Sequence, residues 1–171
     1  INVSQLADRL KRIKVLIMDY DGVFTDNQIT TDENGNEVTY CSKYDSLGLS
    51  FIKNLNIRLL VITSEMNESV RKRLEKLKIE SIQTTESKAI SLYSFTQENS
   101  YQIEDIAYIG NDDNDIPVKS LVSLFFSPYD SSNKVKSISD YITSYSGGKG
   151  CIREVCDLII EAKTNQIESN E

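Results

Sequence analysis

The stretch from Ile13 to Asp26 carries an unbroken apolar run, Val15-Leu16-Ile17-Met18, that stops at two carboxylates one residue apart, Asp19 and Asp21. A run without polar alternation fits a strand covered on both faces, as in a parallel α/β sheet. In open α/β sheets ligands bind outside the carboxyl ends of the strands, where these two acids emerge, and Gly22 lets the chain turn away. Close carboxylates repel unless something offsets them, and a hard divalent cation with oxygen ligands does so. Alone, Asp21-Gly22 reads equally as a solvated turn. The whole pattern, an apolar strand and then Asp-x-Asp-Gly-Val-x-Thr-Asp, is far more restrictive.

Composition narrows the chemistry. The 171 residues include no His, so histidine acid/base catalysis and His-ligated zinc are excluded and the work falls to carboxylates. Lys+Arg 19 against Asp+Glu 26 gives a net charge of −7, which argues against a nucleic-acid partner. Cys41, Cys151 and Cys156 lack C-x-x-C spacing, so reduced thiols in a cytoplasmic protein are expected. No apolar run approaches the roughly 18 residues of a membrane span. A single domain over 1–163 with a flexible tail at 164–171 is expected.

Along the chain, residues 3–12 read as a short amphipathic helix with Leu6 and Leu10 on one face. Gln28–Thr31 and Glu37–Tyr40 flank an Asn34-Gly35 turn, a β-hairpin signature. A helix over 45–55, capped by Asp45 or Ser46, would align Leu47, Phe51 and Leu55. Further strands are expected at 58–62, 79–83, 106–109, 121–126 and 141–142, with helices over 67–78, from Ser87-Lys88 to Phe95, and over 151–163. Thr63 at a strand end reads as an ordinary cap. Lys88 in a first helical turn opposes the helix dipole and is misplaced for stability alone. Gly110-Asn111-Asp112-Asp113-Asn114-Asp115 forms a second acidic strand end. Gly147-Gly148-Lys149-Gly150 before a helix reads as an anion loop or as a hinge.

In their order these motifs resemble the haloacid dehalogenase superfamily, in its capless sugar-acid phosphatase branch. The resemblance covers Ile13 to about Lys163. It implies a Rossmann-like doubly wound parallel sheet with helices on both faces, a β-hairpin flap and no large cap domain. It also implies a Mg2+-dependent phosphatase acting through an aspartyl-phosphate, with Asp19 as nucleophile and Asp21 as general acid/base. Thr63 and Lys88 would hold the phosphoryl group, and Asp115 would support Lys88. The metal would fall to Asp19, Asp21, Asn111 and Asp112. Thr25, Asp45, Ser46, Ser64, Glu65, Lys76 and Lys149 would meet the substrate, and a homotetramer would be the assembly.

Three departures stand out. Asn111 replaces the first acid of motif IV, a neutral ligand in place of a charged one. The eight-carbon enzymes, 3-deoxy-D-manno-octulosonate 8-phosphate phosphatases, usually carry Arg-Asp-Gly where this chain has Tyr44-Asp45-Ser46, and Gly-Arg where it has Ser64-Glu65. Glu65 with Lys76 is more like the nine-carbon, sialic-acid-type phosphatases, and like phosphatase-like modules attached to sialic-acid cytidylyltransferases. Such a weakly catalytic module is the alternative function.

Overall fold

The computed structural model describes residues 3–168, with side chains to Thr164. Helix α1 (Val3–Arg12) leads into β1 (Val15–Met18), and two-residue strands β2 (Thr30–Thr31) and β3 (Glu37–Val38) form a flap. There follow α2 (Lys43–Lys53), β4 (Arg58–Thr63), α3 (Glu68–Leu77), β5 (Glu80–Gln83), α4 (Lys88–Asn99) and β6 (Ile106–Ile109). A 3-10 segment (Asp113–Leu121), β7 (Leu124–Ser127), α5 (Asn133–Ile138), β8 (Tyr141–Ile142) and α6 (Cys151–Glu168) complete the chain.

The main sheet runs β5-β4-β1-β6-β7-β8, with every pairing parallel. Alternation along β1 divides its fully buried residues between two cores. Leu16 and Met18 pack with Leu49, Leu74 and Ile152 from α2, α3 and α6. Val15 and Ile17 face Leu92, Val118 and Val135 from α4, the 3-10 segment and α5. Each large aliphatic buried this way contributes roughly 1.5–3 kcal/mol, which is why the run tolerates no polar residue before Asp19. The chain passes from β1 outward to β4 and β5, then returns to β6 on β1's other side. That reversal opens the crevice beyond the carboxyl ends of β1 and β6.

Several boundaries differ from expectation. Ser42, not Asp45 or Ser46, caps α2, its side chain accepting from the N–H of Tyr44 and Asp45. Gly48, Leu49 and Ile52 form the inward face of α2, because α6 covers that side, while Leu47 and Phe51 are exposed. The strand expected at 121–126 begins only at Leu124, since the 3-10 segment occupies residues up to Leu121. Helix α6 continues to Glu168, five residues past its expected end at 163, and residues 169–171 lie outside those described.

Candidate active site

Four side chains meet at the sheet's switch point, all nearly or completely buried. Asp19 follows β1, Lys88 opens α4, and Asp115 and Tyr108 come from the 3-10 segment and β6. Lys88 Nζ lies 2.7 Å from Asp19 Oδ1 and 2.8 Å from Asp115 Oδ1. Asp115 also accepts from the Tyr108 hydroxyl at 2.7 Å and from the backbone N–H of Asn111 and Asp112. Burial pushes the Asp19 carboxyl up to about 7, Asp115 adds to the rise, and Lys88 opposes it. Burial disfavours the charged Lys88, but Asp19 and Asp115 outweigh it and hold the ammonium above its ordinary range. The cation is thus fixed between two acids, which leaves the third of its three N–H donors to meet an incoming anion.

The loop after β1 is built to turn tightly. Gly22 has φ +79°, in the left-handed region, and Thr25 is fully buried. Thr25 Oγ1 accepts from the Gly22 N–H at 3.2 Å and the Asn27 N–H at 3.3 Å, so this hydroxyl staples the loop and is not open to a substrate as expected. Asp21 is half-buried, and burial followed by the nearby Glu65 raises its pKa. Thr63, at the end of β4, is buried and accepts from the Glu65 N–H at 3.0 Å, which leaves its own hydroxyl proton available. Glu65 lines a small hollow with Asp21 and Glu37, so the structure does bring these acids together.

Asn111 follows β6 after Gly110. Its inward amide atom sits 3.2 Å from Asp19 Oδ2 and 2.9 Å from the Asp21 carbonyl oxygen. Adjacent ligands of an octahedral Mg2+ with bonds of about 2.1 Å stand about 3.0 Å apart. Both distances from the Asn111 amide, to Asp19 Oδ2 and to Asp21 O, match an edge of such a coordination shell. Among the described residues no three His, Cys, Asp or Glu cluster as a metal site. Here one candidate ligand is a backbone carbonyl and another a carboxamide. Asp112 is not brought in: it is exposed, and its carboxylate caps the Asp113 N–H at 2.8 Å.

No protein-family model matches the chain. It is 30% identical over 159 residues to the 3-deoxy-D-manno-octulosonate 8-phosphate phosphatase of Haemophilus influenzae, covering 92% of this chain and 88% of that protein. The chain belongs to this phosphatase family of the haloacid dehalogenase superfamily. It is also 31% identical to the Escherichia coli K12 protein of the same name, over 94% of this chain and 86% of that one. The crystal structure of the Moraxella catarrhalis phosphatase, in complex with magnesium ion, phosphate ion and a KDO molecule, superimposes with a TM-score of 0.91. It is 30% identical and covers 99% of this chain and 100% of that chain.

Four more of the expected substrate residues have other surroundings in the structure. Asp45 is almost fully buried and accepts from the N–H of Arg153 at 2.8 Å and Gly150 at 3.3 Å. It caps the start of α6 from α2, a structural role. Ser46 gives its hydroxyl proton to Ser42 O and accepts from Arg73 at 2.8 Å. Lys76 is exposed in the last turn of α3, about 12 Å of helix from its start. Among the described residues it forms no ion pair with Glu65. Lys149 is exposed and faces Tyr44, Tyr145 and Arg153 rather than the acids. Its neighbouring glycines pack backbone on backbone: Gly148 N–H donates to Val23 O at 2.9 Å, and a Cβ on Gly147 would sit 2.0 Å from Gly22 O. Ser64, next to Thr63, is exposed at the strand end.

Two residues escaped the sequence reading. Tyr108 is a lone aromatic in an otherwise aliphatic strand, a signal that a hydroxyl was needed inside. Arg73 lines a cavity of about 400 Å3 with Tyr20, Glu37, Thr39, Cys41 and Lys43, its Nε buried without a partner. Only the α-helical spacing from Asn67 could have separated it from Arg71 and Lys72. The cap assigned to Asp45 has a direct test. Asp45→Ala should destabilise the protein by about 1–2 kcal/mol in urea unfolding, with Asp45→Asn costing less. A raised KM for substrate with unchanged stability would instead return Asp45 to the substrate site.

Proposed function

We propose that this chain is a Mg2+-dependent phosphatase of a phosphorylated 2-keto-3-deoxy sugar acid, either 3-deoxy-D-manno-octulosonate 8-phosphate or a nine-carbon nonulosonate 9-phosphate. The observation that carries the reading is Lys88 held between Asp19 and Asp115, with Asp21 and the Thr63 hydroxyl on adjoining strand ends. Asp19, Asp21 O and Asn111 would hold Mg2+, which would offset the negative charge of nucleophile and phosphate. Asp19 attacks phosphorus in line, forming an acyl-phosphate and displacing the sugar oxygen. Asp21 gives that oxygen its proton and then takes one from the water that cleaves the acyl-phosphate. Its raised pKa suits the first of these roles. Thr63 and Lys88 hold the phosphoryl oxygens.

The sugar's own carboxylate needs a cation, and Arg73 with Lys43 in the adjoining cavity supplies a better candidate than Lys76. The reading extends to residues 1–163 as one phosphatase unit in the cytoplasm. Three free cysteines suit that reducing setting, and no helix among the described residues is long and apolar enough to cross a membrane. It extends to a homotetramer, supported by the exposed Ile29, Val38 and Tyr40 around the flap. The test is phosphate release from eight- and nine-carbon substrates at millimolar Mg2+. Glu65→Arg should move the kcat/KM ratio toward the eight-carbon ester, because a cation would replace an acid beside Asp21. An unchanged ratio would remove Glu65 as selector, and no release from either ester would favour the non-catalytic module.

A further inference from the structure

We propose that the Asn111 carboxamide is a built-in substitute for the metal. In the metal-free protein its NH2 bridges Asp19 Oδ2 and the Asp21 carbonyl, and the amide turns by half a rotation to offer Oδ1 when Mg2+ enters. The inference rests on the phosphatase reading and concerns how that site is regulated.

The geometry allows two orientations of one side chain. With Oδ1 inward, the amide faces acceptors only. With Nδ2 inward, the orientation assigned from the hydrogen-bond network, it donates to Asp19 Oδ2 at 3.2 Å and to Asp21 O at 2.9 Å. The residue has little room to leave. It is 8% exposed, its backbone N–H is held by Asp115 Oδ2 at 2.9 Å, and a Cβ on Gly22 would lie 1.9 Å from its outward amide atom. An aspartate here could not donate: it would add a third carboxylate beside Asp19 and Asp21 and would depend on a cation to stay there. Asparagine reverses that dependence. It ties the two ligand atoms together without metal, and Mg2+ must break both hydrogen bonds to bind while gaining no charge from the side chain.

The test compares the full chain with Asn111→Asp and Asn111→Ala, using calorimetric titration of Mg2+ and thermal unfolding with and without it. The native protein should bind Mg2+ about 10- to 100-fold more weakly than Asn111→Asp, the span over which groups adjoining a metal tune its affinity. Without metal the native protein should melt several degrees above both variants, and Mg2+ should raise the midpoint of Asn111→Asp far more than its own. Equal Mg2+ affinity in native protein and Asn111→Asp would overturn the proposal. So would a metal-free Asn111→Ala as stable as the native protein, because the bridge would then contribute nothing. If neither the native protein nor Asn111→Asp binds Mg2+, the phosphatase reading itself falls and takes this inference with it.

Discussion

Asp19→Asn should lower phosphate release by at least about 10^4-fold, the scale on which removal of a nucleophile acts, while leaving the fold intact or more stable. The two halves of that expectation have one cause. Asp19 is held as a carboxylate in a buried site beside a second acid, and its carboxyl is raised from 3.8 to about 7. A group whose folded pKa is raised stabilises the fold fully below its unfolded value and loses that contribution as pH rises through the folded value. Metal-free Asp19→Asn should therefore melt above the native protein at pH 8, and the gap should close below about pH 4. Activity is to be read on fresh protein whose mass excludes deamidation. Substantial turnover by that protein would remove Asp19 as nucleophile. A lower midpoint at pH 8 would show that its charge is well compensated.

Lys88→Met should be the most destabilising single substitution in the site, costing about 3–5 kcal/mol, because it leaves two buried acids without their shared cation. Lys88 is 2% exposed and Asp115 fully buried, so water cannot take over as it would at the surface. The ammonium is held above its ordinary pKa, so its contribution is fully present through neutral pH and is lost only in strong alkali. The loss in Lys88→Met should accordingly change little between pH 6 and 9 apart from the Asp19 titration. Adding Asp115→Asn to Lys88→Met should recover part of it, since one uncompensated charge is removed. A loss under about 1 kcal/mol in urea unfolding would show that the acids relax or protonate without penalty.

Much of this site was legible because its chemistry sits where strands end. Asp19, Thr63 and Asn111 stand at the carboxyl ends of β1, β4 and β6, and the order of these strand ends, matched to the family's motifs, singled them out without any tertiary information. Lys88 was legible through its place in the order of motifs, with which its conflict with the helix dipole agrees. What could not be read were polar residues whose partners lie far along the chain. Asp45 looks like a local cap, yet its acceptors serve Gly150 and Arg153, more than a hundred residues away. Thr25 looks like a substrate ligand until its burial and two backbone donors are known. Helix faces failed similarly: Leu47 and Phe51 have the right spacing for a core stripe, but the side of α2 that α6 covers carries Gly48, Leu49 and Ile52. Periodicity defines a stripe, and only packing decides which stripe is buried.

The most direct measurement of the central claim is the stereochemical course at phosphorus, followed with an isotopically chiral phosphorothioate ester of the eight-carbon sugar acid hydrolysed in the presence of Mg2+. Transfer first to Asp19 and then to water is two in-line displacements, each inverting the centre, so the account predicts net retention. Net inversion would mean that water attacks the ester directly and that Asp19 is not the nucleophile.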